Sequence, residues 1–126
     1  MAKWRRPSNL AYSPARKSRR AALEAAKEEA TGLMENDQLE EALDLLESLT
    51  NDFPRDAELH MMVATCCLGV DDPDSALFYF EIAYDIDKEP ALLLPLGLTY
   101  YQLEMAGSAL YAFHESIRHG LPLPDE

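Results

Sequence analysis

The side chains of this 126-residue chain with the means for catalysis or metal binding are three histidines, two cysteines and 23 carboxylates. His60, His114 and His119 are scattered, and a spacing of five carries the last two off a shared helix face. Cys66 and Cys67 are neighbours in an apolar stretch; on a helix they point about 100° apart and do not bridge each other. With no further ligand at a useful spacing they read as two small buried hydrophobes of a reducing compartment. Glu40-Glu41, Glu47 and Asp71-Asp72 read as solvated faces and helix caps rather than acid–base pairs, and the five glycines form no phosphate-cradling loop. The expectation is a protein with no catalytic residues, no metal site and no cofactor.

Charge divides the chain unequally. Lys3, Arg5, Arg6, Arg16, Lys17, Arg19 and Arg20 place seven cations and no acid in the first twenty residues, although the whole chain carries −12. The remainder therefore has four cations against 23 acids, a body that repels nucleic acid and anionic lipid. The basic start lacks an apolar run behind it, so it is no secretory signal, and Pro7 and Pro14 interrupt the amphipathic helix of an organellar targeting segment. No apolar run reaches 18 residues, so no transmembrane helix is expected and the cytoplasm is the expected compartment.

These groups must be positioned by helices. Residues 1–12 lack periodicity and read as an extended arm. Ser13-Pro14 is a helix start, with a hydroxyl cap and proline at the first position, and the helix is predicted to run to about Glu35. Asn36-Asp37 suit a tight left-handed turn. Leu39, Ala42, Leu43, Leu46 and Leu49 make one stripe of a second helix, about Gln38 to Thr50, ended by Phe53-Pro54. A third helix is predicted from Ala57 to Leu68 before Gly69, and a fourth from Pro73 to Asp87 behind Asp72. Pro90 opens a fifth, and a sixth runs from about Ala106 to His119 with Gly120 as its stop.

Ala42, Ala76 and Ala109 stand 34 and 33 residues apart, each followed four places on by Leu46, Phe80 or Phe113. A period near 34 indicates stacked helical hairpins that bury their apolar faces only against one another. Leu93, Leu96-Gly97, Tyr100, Ala109 and Phe113 fall in the spacing of the tetratricopeptide repeat, which the chain resembles from about Arg20 to Leu121. Weaker matches come from His60, Val63-Ala64, Cys67, Ala76, Phe80 and Ala83, and from Ala26, Ala30, Leu33, Ala42, Leu46 and Pro54. Glu29 replaces a large apolar residue, and Pro90 and Pro122 are displaced from the expected turn proline. The resemblance implies an all-α solenoid of three hairpins, about 23–56, 57–89 and 90–122, in a repeat domain of residues 21–126 preceded by a basic arm of residues 1–20.

The resemblance also implies a concave face built from the first helix of each hairpin. Its groove positions fall on Glu24, Lys27, Thr31 and Met34, then Glu58, Met61, Thr65 and Leu68, then Ala91, Leu94, Leu98, Tyr101 and Gln102. A clamp for a C-terminal carboxylate needs several cations there, and only Lys27 qualifies. Met61, Leu68, Leu94, Leu98 and Tyr101 instead suggest an apolar groove for an amphipathic helix or extended peptide. The expected role is a non-catalytic protein-interaction adaptor or chaperone-like module. No polar-faced helix follows the third unit, so the C-terminal face is expected to meet an oligomer partner or further repeats. The alternative places function in the arm, where Lys3-Trp4-Arg5-Arg6 with Leu10 and Tyr12 interleaves cations and aromatics, as binders of single-stranded nucleic acid or an anionic surface do.

Overall fold

The computed structural model describes residues 14–120, with side chains from Lys17 onward. Among the described residues there are six α-helices and no strand: α1 Pro14–Glu35, α2 Leu39–Asp52, α3 Ala57–Gly69, α4 Pro73–Asp87, α5 Leu93–Gln102 and α6 Ala106–Arg118. They pair as α1·α2, α3·α4 and α5·α6, and successive hairpins meet through α2·α3 and α4·α5. The result is an all-α stack of three hairpins.

The three hairpin turns are copies of one another at the level of the backbone. Asp37, Asp71 and Glu104 all take a left-handed conformation, with φ of 62°, 63° and 60°. The residue after each sends its N–H back to a carbonyl five places earlier: Gln38 to Leu33, Asp72 to Cys67, and Met105 to Tyr100, at 2.8, 2.8 and 2.9 Å. These sets are offset by the same 34 and 33 residues as the alanines. In the second turn Asp72 also caps α4, its side chain accepting from the Ser75 N–H, with Pro73 at the first helical positions.

The core lies where hairpins press together. Leu23, Ala30, Ala42, Leu46, Leu59, Val63, Ala64, Ala76, Phe80 and Ala83 are at most 1% exposed and form one cluster with Cys66, Cys67, Leu92 and Leu96. Each buried Leu, Val or Phe stabilises the stack by about 1.5–3 kcal/mol relative to exposure. His60 belongs to this packing. Its ring is inclined 21° to that of Tyr79, with centroids 6.0 Å apart, and its Nε2 donates to the Pro54 carbonyl at 2.9 Å.

Two boundaries differ notably from the sequence reading. Pro90 opens a 3-10 turn, Pro90–Leu92, and α5 proper starts at Leu93. Lys88 is left-handed at the end of α4, so the chain leaves it sharply and the 3-10 turn brings it onto the axis of α5. Helix α2 also runs on to Asp52, through the first residues of the predicted turn. Ser13 and the arm residues Lys3, Trp4, Arg5, Arg6, Leu10 and Tyr12 lie outside the described residues.

Candidate functional site

Three cavities follow one another along α1, where it faces the start of α3. The first, 640 Å3, lies between Arg20, Glu24 and Lys27 of α1, the Phe53–Glu58 turn, and Ile86 and Asp87 at the end of α4. The second, 410 Å3, is lined by Glu24, Lys27, Glu28, Thr31, Gly32 and Glu35 with Glu58 and Met62. The third, 380 Å3, is lined by Thr31, Met34 and Glu35 with Glu58, Met61, Met62 and Thr65. Shared residues make them one furrow.

Its floor holds a fixed ion cluster. Lys27 is only 7% exposed; its Nζ stands 2.9 Å from Asp56 Oδ2, 2.8 Å from Glu58 Oε1 and 3.7 Å from Glu24 Oε1. Asp56 is also the cap of α3, its other carboxylate oxygen accepting from the Leu59 N–H at 3.0 Å. Burial alone lowers the tendency of Lys27 to hold its proton, but the hydrogen bonds and charges of Glu58 and Asp56 outweigh it and raise the ammonium above 10.5. Burial likewise pushes the Asp56 carboxyl up, and the Lys27 hydrogen bond, the Leu59 N–H and the charges of Lys27 and Arg20 bring it below 3.8. Lys27 thus ties α1 to the start of α3 and is not free to meet a ligand.

Above that floor the furrow is apolar at one end and acidic along its rim. Met34 and Met62 are half-buried, Met61 is 36% exposed, and Glu28, Glu35 and Glu58 are exposed beside them. Thr31 and Thr65 donate their hydroxyls to Lys27 and Met61 carbonyls within their own helices. The furrow joins a methionine patch to a row of carboxylates. Glu24, Glu28 and Glu35 on α1, and Glu58 with Met62 four residues on in α3, share faces by helical spacing.

The remaining predicted positions separate into two groups. Leu68 is half-buried and packs on the core. On α5, Leu94 is half-buried, Leu98 is 40% and Tyr101 70% exposed, and Gln102 is exposed, but these four line none of the three cavities. Of the basic residues, Lys17, Arg19 and Arg20 are exposed on the first turns of α1, and the side chain of Arg16 lies outside the described residues. Arg19 is held over the Phe53 ring at 4.7 Å and donates to the Asp52 carbonyl at 3.2 Å. Sequence reasoning missed Met62, Glu28, Glu35, Asp56 and the Phe53–Ile86 cavity.

No family model and no curated protein matches the sequence. Solved structures do match. PcrH, determined in complex with the chaperone binding region of PopD, superposes with a TM-score of 0.73 at 16% identity, over 77% of this chain and 74% of that one. This is a tetratricopeptide-type fold. Two structures of MamA share the tetratricopeptide-type arrangement: a double mutant of the RS-1 protein at TM-score 0.72, and the fragment from residue 41 to the end from Desulfovibrio magneticus RS-1 at 0.71. Both are 20% identical over 75% of this chain, which spans only 54% of theirs. No described helix is long and apolar enough to cross a membrane.

Proposed function

We propose that the chain is a non-catalytic protein-interaction adaptor that holds a short amphipathic peptide with basic flanks in the furrow between α1 and α3. The observation that carries this reading is the methionine patch of Met34, Met61 and Met62 bordered by Glu28, Glu35 and Glu58. Methionines adapt to differing apolar side chains, and the carboxylates favour Lys or Arg beside those anchors. An acidic C-terminal peptide is disfavoured, since Lys27 is already engaged by three carboxylates. The likeness to PcrH, whose structure holds a segment of PopD, supports peptide capture as the class of activity. Leu94, Leu98, Tyr101 and Gln102 extend the surface for longer ligands, and the cytoplasm is the compartment this role suits.

Burying about 400 Å2 of apolar surface gives roughly 10 kcal/mol gross, most of it spent on ordering, so micromolar affinity is expected. The test is fluorescence anisotropy with a labelled helical peptide carrying Leu anchors and Lys flanks. Met61→Glu should weaken it at least tenfold with helicity unchanged, and affinity should fall with salt. Equal binding by Met61→Glu removes the furrow from the reading. A steep salt slope for an oligonucleotide, lost on removing residues 1–20, would instead favour nucleic-acid tethering through the arm.

A further inference from the structure

Helix α6 exposes apolar residues at positions that α2 and α4 keep covered. Leu43, Leu77 and Leu110 stand 34 and 33 residues apart, the offsets of the three turns. So do Leu46, Phe80 and Phe113, and likewise Thr50, Tyr84 and Ile117. On α2 and α4 these positions are shielded: Leu46, Phe80 and Thr50 are buried, and Leu43, Leu77 and Tyr84 are half-buried against the core. On α6 Phe113 is only half-buried, while Leu110 is 71% and Ile117 53% exposed. The difference lies in what comes next. Helix α2 meets α3 and α4 meets α5, whereas no helix follows α6 among the described residues. Leu110, Phe113 and Ile117 are thus one side of an inter-hairpin contact.

The opposite end of the stack restricts what can cover them. The buried Leu59, Val63 and Cys66 of α3 recur in the third hairpin as the buried Leu92, Leu96 and Thr99. Helix α1 has Ala25, Glu29 and Gly32 at those places, with Ala25 and Glu29 exposed. A second copy stacked head to tail would lay Leu110 and Ile117 on Glu29. Tail-to-tail pairing instead lays the apolar face on itself. Charge favours the same pairing. Residues 93–118 hold two acids, Glu104 and Glu115, against one cation, Arg118, a net of −1 in a chain of −12. Glu115 and Arg118 are moreover paired at 3.2 Å. Two copies therefore repel one another least across this hairpin.

We propose that the chain forms an isologous dimer through α6, the two helices antiparallel about a two-fold axis near Phe113 and His114. Leu110 and Ile117 are seven residues apart, about 10 Å along the helix, so an axis midway sets Leu110 of each copy beside Ile117 of the other. The α1–α3 furrow lies on the first two hairpins, so the dimer presents two furrows.

A contact built on one 13-residue helix is small for a specific interface, and dissociation is expected on the order of 10 µM. In sedimentation velocity of the full chain, the mass should move with concentration from 14.2 kDa to twice that value and no further. Leu110→Glu with Ile117→Glu should weaken dimerisation at least tenfold and, since both side chains are exposed, keep the helicity of wild type. Added salt should tighten the wild-type dimer by screening the net charge. His114→Cys, near the axis, should cross-link to its own copy on mild oxidation, while the buried Cys66 and Cys67 stay silent. A wild type that is monomeric well above that concentration overturns the proposal and leaves the face to a different helix. Growth beyond two copies, a dimer that persists in the double variant, or one that His114→Cys does not link, overturns it as well.

Discussion

A Cβ placed on Gly97 would stand 2.6 Å from Cε1 of Phe113, closer than side chains approach in real proteins. Glycine is therefore what lets α5 and α6 touch in the last hairpin. Gly97→Ala must push the Phe113 ring aside, and is expected to cost about 1–3 kcal/mol. For a domain of this size each kcal/mol moves the midpoint by about 4–8 °C in a thermal melt. Phe113→Leu, which frees the space, should recover part of the loss in the double variant.

The Lys27 cluster makes stability depend on pH at both extremes. Asp56 binds its proton less readily folded than unfolded, so its contribution is present above 3.8 and is lost as pH falls through its lower folded value. Lys27 holds its proton more tightly folded, so its contribution is complete below 10.5 and is lost as pH rises through its higher folded value. Between those limits the cluster contributes a plateau. Lys27→Met should lower urea stability by about 1–3 kcal/mol at neutral pH and flatten both limbs, because Asp56 and Glu58 lose their shared cation. Unchanged limbs in the variant would assign the acid and alkaline losses to other groups.

Glu104 holds φ near 60°, where its Cβ crowds the following carbonyl at a cost of about 1 kcal/mol that asparagine, whose short amide side chain hydrogen-bonds locally, largely offsets. Glu104→Asn should raise the melting midpoint by several degrees and leave peptide binding unaltered. Asp37 and Asp71 stand at the same place in their turns with a side chain that tolerates it better. The corresponding gain there should be smaller, and chemical denaturation of the three single variants checks the ranking.

Burial holds both thiols up, and the charges of Asp72 and Glu47 add to it at Cys67, which is raised to about 11. Neither forms an appreciable thiolate at neutral pH. Labelling with a thiol reagent should therefore proceed only at the rate of global unfolding, with both cysteines reacting together. Fast labelling of the native protein would show that α3 opens locally.

Leu98→Glu with Tyr101→Glu separates the exposed α5 residues from the α1–α3 furrow. Since neither residue lines the α1–α3 furrow, a short peptide should bind the double variant as it binds wild type. A ligand long enough to cross α5 should lose affinity several-fold in titration calorimetry.

The hairpins were legible because their signals are local and repeated. Ala42, Ala76 and Ala109 mark close helix contacts, and Asp72-Pro73 and Asn36-Asp37 carry turn chemistry of their own. The 3-10 entry to α5 was not legible, because a proline at the first position suits either helix type and the left-handed Lys88 before it has no compositional mark. Thr31, Met34, Met61 and Thr65, groove positions by the resemblance, line the third cavity. Lys27 was placed there too, but its neutralisation depends on Asp56 and Glu58, about thirty residues away in sequence, which no periodicity reveals. The acidic rim was missed for a related reason. Carboxylates scattered over a strongly negative chain look alike until the helices choose which of them face one another.

The recurrence of one left-handed aspartate at Asp37 and Asp71 bears on how such a chain changes length. Excising residues 37–70 joins Asn36 directly to Asp71, replacing one aspartate by another of the same conformation and keeping the carbonyl–amide closure of the turn. The seam is geometrically silent. Gain or loss of a whole 34-residue segment at that point therefore preserves the turn, while losing residues 37–70 also takes Asp56 and Glu58 from Lys27 and adds that cost to the lost hairpin surface.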